Sequence, residues 1–195
     1  MGESRVIVVT GLPGTGKTTF ARALGERFRV PVLCKDAIKE PLLDTLGAQD
    51  AAESRRLSDA SFAALFAIAR ELCAARVSMV LEGNFRPGEH EPALREALAL
   101  ASHAASPPLC AQILCTLDEG ERLARLSKRD DDPTRHAGHR DREQTRAPSN
   151  ANGDTFLDLA GERLVNSGRN HLELLAALDG WWTSRTLSEK KPAAR

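Results

Sequence analysis

The sequence predicts an α/β fold, a parallel sheet covered by helices on both faces. Two patterns carry that expectation: short β-branched runs alternate with helix-period stretches along the whole chain, and the runs themselves show little inside–outside alternation. Length supports it. At 195 residues with 42% hydrophobic content, the chain can bury one sizeable core, so a single domain over residues 1–187 is expected, followed by a polar, disordered tail at 188–195.

Five strands are predicted, at 5–10 (RVIVVT), 30–34 (VPVLC), 76–82 (RVSMVLE), 110–116 (CAQILCT) and 162–166 (ERLVN). Helices are expected near 17–28, 37–46, 54–75, 91–103, 118–129 and 169–182. The clearest is the third, where Phe62, Leu65, Phe66, Ala69, Leu72 and Cys73 recur at helical spacing and define a buried face. Leu94, Ala97, Leu98 and Ala101 repeat the pattern in the fourth, and Pro92 sits early, where a helix tolerates it. Residues 130–155 have no apolar periodicity and many turn formers and charges, so they read as a long excursion from the domain.

Charge and composition exclude several classes. Lys plus Arg and Asp plus Glu both number 27, which leaves no net field to gather a long polyanion, and there are only six Phe, two Trp and no Tyr on which bases could stack. A small-molecule partner fits better than nucleic acid; no protein partner is indicated. The apolar run Val6–Val9 is too short to span a membrane or form a signal core, so a cytoplasmic location is expected. The four cysteines, Cys34, Cys73, Cys110 and Cys115, lie apart in apolar stretches without zinc-type spacing and read as reduced, buried hydrophobes.

The most specific motif follows the first strand. Gly11-Leu12-Pro13-Gly14-Thr15-Gly16-Lys17-Thr18 matches G-x-x-x-x-G-K-[ST] and opens the first helix. Glycines there let successive amides converge on phosphate oxygens at a helix N-terminus. The expected ligand is ATP with Mg²⁺: Lys17 lies between the β- and γ-phosphates, the Thr18 hydroxyl holds the metal, and Thr19 has a lesser claim.

Other candidates cluster at the ends of later strands, which in a parallel sheet form the same ligand edge. Asp36, in KDAIKE after the second strand, suits a general base that accepts a proton from an attacking hydroxyl; it equally suits a helix N-cap. Glu82, in LEGNF after the third strand, suits an acid that orients a metal-bound water or the acceptor, or one paired to a loop arginine. Asn84 and Phe85 are expected to line an acceptor pocket.

Arg122, Arg125 and Arg129 share a helix face leading into the excursion. Arg125 and Arg129 suit neutralisation of a transferring phosphoryl group, whereas Arg122 reads as a solvated, salt-bridged residue. The stretch 118–146 holds eight basic and eight acidic residues, so it is not a nucleic-acid arm. His136 and His139 form an H-x-x-H without a third ligand, which fits hydrogen bonding better than metal binding.

GLPGTGKTT, a D-x-x-K after the second strand, LEGNF, and arginines before RHAGHRD, in that order, resemble the small P-loop kinases over roughly residues 5–170. The resemblance is to chloramphenicol phosphotransferase-like, zeta-toxin-like and polynucleotide-kinase-like proteins, and especially to ATP-binding proteins carrying KDxIKE. It implies a three-layer P-loop NTPase fold with strand order 2-3-1-4-5, a mobile lid at about 122–150, and ATP-dependent transfer to a hydroxyl. It implies Asp36 as the catalytic base, Lys39 as an acceptor or phosphate contact, Arg135 and His136 near the phosphates or acceptor, and backbone recognition of adenine around Ser167, Gly168 and Arg169. The lysine at 39 lacks the bidentate fork of the usual arginine. The expected acceptor is a small metabolite or antibiotic. A polynucleotide 5′-hydroxyl kinase, a zeta-type nucleotide-sugar kinase and a nucleotide-dependent switch module are the alternatives.

Overall fold

Strand β1, Arg5–Gly11, organises the domain because its side chains feed both layers of the core. Successive residues of a strand point to opposite faces. Val6 and Val8 join Phe62, Leu65, Phe66, Met79, Leu81 and Leu94 in one cluster. Ile7 and Val9 join Phe20, Leu24, Val80, Ile113, Leu178 and Trp181 in the other. A strand with both faces buried has no use for polar alternation, which explains the unbroken VIVV run.

The structure is a computed structural model that describes residues 3–100, 107–130, 136, 155–168 and 170–183. Around β1 stand β2 (Val32–Cys34), β3 (Met79–Glu82), β4 (Leu109–Cys115) and β5 (Glu162–Asn166), in the order β2-β3-β1-β4-β5. Every pairing is parallel. The helices are α1 (Lys17–Phe28), α2 (Lys35–Leu46), α3 (Ala51–Ala74), α4 (Glu91–Leu100), α5 (Glu119–Asp130) and α6 (His171–Thr183). The three-layer arrangement and strand order expected from the sequence are those observed. Arg135, Arg169, His139, the remaining lid residues 131–134 and 137–150, and the tail 188–195 lie outside the described residues.

Helices α2 and α3 start earlier than expected. Helix α3 begins at Ala51 because Asp50 caps it, accepting from the Glu53 amide at 2.8 Å, while the Glu53 carboxylate reaches back to the Gln49 amide at 2.7 Å. Helix α2 begins at Lys35, directly after β2, with no intervening turn. That abrupt strand-to-helix junction places Asp36 within the first helical turn. Cys34, not Asp36, occupies the N-cap position, so the capping role offered for Asp36 is not the one it has.

Candidate active site

All five strands run the same way, so the C-terminal ends of β1, β2 and β3 meet at one edge. Register fixes their levels: Val9 is opposite Glu82 on β3, and Glu82 is opposite Cys34 on β2. Glu82 therefore stands one strand from the phosphate loop and one strand from the start of α2.

The loop between β1 and α1 is closed on itself. The Thr15 hydroxyl donates to the Leu12 carbonyl at 2.8 Å, and the Lys17 ammonium donates to the same oxygen at 2.9 Å. Gly16 takes the N-cap position of α1 with a left-handed φ of 88°, which L side chains adopt only under strain. No side chain caps this helix and no acid lies in its first turn. Its leading amides, with the positive end of the helix dipole, suit an anion.

These residues fit a magnesium–triphosphate group. A cradle of backbone amides, a partly buried Thr18 hydroxyl and the Glu82 carboxylate, itself only 3% exposed, are the hard donors such a group requires. Thr19 is exposed on the outer side of α1.

Electrostatics shows which side chains converge. Burial pushes the Lys17 ammonium below its usual value of 10.5; Glu82, Cys115 and Asp36 oppose that shift, and Arg129 reinforces it. Three candidates from three other elements thus act on one ammonium. Asp36 is partly buried and its carboxylate is held by Lys35 at 3.0 Å. Lys35 is buried and lies over the Phe62 ring at 5.8 Å. Glu82 accepts a bond from the Cys34 thiol at 2.6 Å, so its described partner is a cysteine rather than a loop arginine.

Helix α5 lies along the phosphate loop. Arg125 is exposed, pairs with Glu121 at 2.7 Å, and has a guanidinium nitrogen 3.9 Å from where a Cβ on Gly16 would stand. Arg129 is partly buried. Arg122 departs from the solvated role expected of it: it is only 5% exposed and reaches toward the Pro13 carbonyl at 3.4 Å. Its stem and Leu126 back directly onto Gly14, at 3.2 and 3.1 Å from a Cβ placed there. The face that carries the arginines is the one pressed against the loop, so its first member is buried.

Other expected residues separate from this centre. Phe85 is 1% exposed and packs with Phe62 and Phe66, so its ring is core rather than pocket lining, while its carbonyl accepts from the buried Thr10 hydroxyl at 3.2 Å. Asn84 is half-buried in the turn after β3. Lys39 bridges to Ser54 on α3 at 3.0 Å. His136 meets Asp44 of α2 at 2.9 Å. After β5, the Asn170 side chain accepts from the Ser167 amide and hydroxyl at 3.0 and 3.2 Å, and the Gly168 amide donates to Asn166 at 3.0 Å, which shapes the segment expected beside a nucleotide base.

Lys35 and Asn170 were not singled out from the sequence as functional, while Cys34 was read only as a buried hydrophobe and Arg122 as a solvated residue. Lys35 had a visible signal, its place beside Asp36. The Cys34–Glu82 contact had none, since it depends on register between strands separated by 48 residues.

Among the described residues no helix is long and apolar enough to cross a membrane. No curated protein compared matches the chain at a significant level. Among solved structures, a protein of Chloroflexus aurantiacus j-10-fl, assigned provisionally as a kinase, superposes with a TM-score of 0.81 at 27% identity, over 95% of this chain and 100% of that one. The APS kinase CysC of Mycobacterium tuberculosis, solved with AMPPNP and APS, has a TM-score of 0.58 at 18% identity, covering 92% of this chain and 99% of that one. A sugar kinase of Janibacter sp. HTCC2649 has a TM-score of 0.58 at 19% identity, covering 93% and 95%. The last two share the fold. The AAA_33 family, described as an AAA domain, matches residues 6–151, more than half of the chain, and the protein belongs to it.

Proposed function

We propose that this protein is an ATP-dependent phosphotransferase that moves the γ-phosphate of ATP to a hydroxyl of a small metabolite or antibiotic. The observation that carries the reading is the convergence on Lys17 of Glu82, Asp36 and Arg129, drawn from β3, α2 and α5. A loop that merely bound nucleotide would need neither a carboxylate at the start of α2 nor an arginine-bearing helix across it.

In this reading the amides of residues 11–18 and Lys17 hold the triphosphate, while Asp36 accepts the proton of the attacking hydroxyl. Magnesium, when bound, would be held by Thr18, with Glu82 orienting a bound water, and would offset phosphate charge. Arg125 and Arg129 would stabilise the charge that spreads over the transferring group, and exclusion of water would protect it from hydrolysis. Lys39 and Asn84 would face the acceptor, with Arg135 and His136 closing from the lid and Arg169 beside the base. Residues 1–187 would act as a single kinase domain with its lid at about 122–150. Within small P-loop kinases, the finer assignment proposed is the group of chloramphenicol phosphotransferase-like, zeta-toxin-like and polynucleotide-kinase-like proteins, especially those carrying KDxIKE.

The test is a mass-spectrometric screen of metabolite and antibiotic pools incubated with protein, ATP and Mg²⁺. A hydroxylated compound should gain one phosphate with the wild type and none with Lys17→Met. ATP hydrolysis that no compound accelerates would favour a switch module instead. Label appearing only on oligonucleotide ends would favour a polynucleotide kinase.

A further inference from the structure

Glu82 ends β3 where many P-loop proteins place an aspartate, and an acid in that place works only if its carboxylate is aimed. Its described neighbours are of two kinds. On the loop side is Lys17, which feels Glu82 more strongly than any other charge. On the other side is Cys34, its partner on the β2–β3 ladder, whose sulfur lies 2.6 Å from Oε2.

Both residues are buried, Cys34 at 9% exposure and Glu82 at 3%. We infer that Cys34 is a positioning residue whose thiol holds the Glu82 carboxylate in the orientation it needs toward magnesium and the phosphate loop. The inference deepens the phosphotransferase reading and rests on it.

Three features support the role. Cys34 and Glu82 share a rung of the ladder, so the contact is set by backbone register rather than by a loop. An ordinary cysteine thiol keeps its proton at neutral pH, so the sulfur beside Glu82 is a donor and the carboxylate the acceptor. A neutral donor also differs in kind from a lysine or arginine. It satisfies one carboxylate oxygen without cancelling the negative charge that a cation-binding acid must keep, and partners of this kind orient metal-side ligands. Asp36 lies two residues after Cys34, in the first turn of α2, so the same junction fixes both acids at the ligand edge.

The bond is read first without nucleotide. In infrared spectra of the wild type, one cysteine S–H band should lie at lower frequency than a free thiol, vanish in Cys34→Ser, and move upward in Glu82→Gln, whose amide accepts more weakly. Magnesium dependence is read next, as the Mg²⁺ concentration at half-saturation of a fluorescent ATP analogue. Cys34→Ala should raise it by about tenfold. Cys34→Ser, which keeps a donor, should stay within about twofold, and metal-free nucleotide binding should be unchanged in both. A Cys34 band at the free-thiol frequency would overturn the proposal, as would an unchanged Mg²⁺ requirement in Cys34→Ala or a serine variant that fails as fully as alanine. Absence of nucleotide binding in the wild type would sink the kinase reading instead, so the two failures are separable.

Discussion

In the phosphotransferase proposed for this protein, the donor and acceptor halves of the site are built to different standards of rigidity. Helix α1, which carries the phosphate loop, buries Lys17, Phe20, Ala21, Leu24 and Gly25 against a central strand that is itself inaccessible. Helix α2, which carries Asp36, buries Lys35 alone, and follows a strand of only three residues at the sheet edge. Few buried apolar contacts mean a lower free energy of local opening. In the proposed reading the triphosphate would therefore meet a fixed surface, and the acceptor a helix that can adjust to it.

The largest expected effect lies in the donor half. Lys17→Met removes the cation that four elements surround, and should lower phosphate transfer by about 10²–10³-fold while weakening nucleotide affinity, measured by single-turnover transfer and equilibrium binding. Gly11→Ala should destabilise the fold by about 3 kcal/mol, read from urea unfolding, because the added Cβ would stand 2.2 Å from the Cys115 carbonyl at a φ of 136°. Paired truncations then sharpen the contrast directly. Leu24→Ala in α1 should cost about 3 kcal/mol, and Leu43→Ala in α2, only partly buried, about 1 kcal/mol. Equal losses would erase the distinction between the halves.

A smaller effect is expected at His90, beside the acceptor half. Its ring is buried against Phe62 at 3.8 Å and its Nδ1 accepts from the Arg86 amide at 3.0 Å. Burial lowers its pKa from 6.5 despite the opposing pull of Glu89. The unfolded chain binds that proton more readily, so stability falls as pH drops through 6.5 toward the lower folded value, and is regained as pH rises. His90→Gln should flatten the part of the stability profile that falls as pH drops through 6.5. Smallest of all should be Arg27→Gln, which opens an exposed ion pair to Asp179 between α1 and α6; its slight lowering of the urea midpoint should disappear at high salt.

Legibility followed the same division. The phosphate loop could be read because its chemistry is contiguous: eight successive residues, an incoming strand and an outgoing helix. Strand order came from resemblance rather than from the residues, since pairing between strands leaves no mark in a single sequence. Asp36 and Glu82 were legible as acids at strand ends. Of their partners, Lys35 was visible only as the neighbour of Asp36, since its pairing depends on where a helix begins, and Cys34 was not visible as a partner at all, because that contact depends on cross-strand register. Phe85 was misplaced for a related reason: after a buried strand the chain turns back into the core, and the ring that looked available for substrate joins Phe62 and Phe66. Arg122 was read as solvated from charge patterning, which cannot register that its helix face is pressed on the loop.

The central claim is that Asp36 belongs to the acceptor half and acts on the attacking hydroxyl. Asp36→Asn tests it most directly, with transfer to the acceptor and Mg²⁺–ATP affinity measured on the same preparation. Transfer should fall by about 10²-fold while nucleotide affinity stays within about twofold. Unchanged transfer would remove Asp36 as the base, and a parallel loss of nucleotide binding would move it to the donor half.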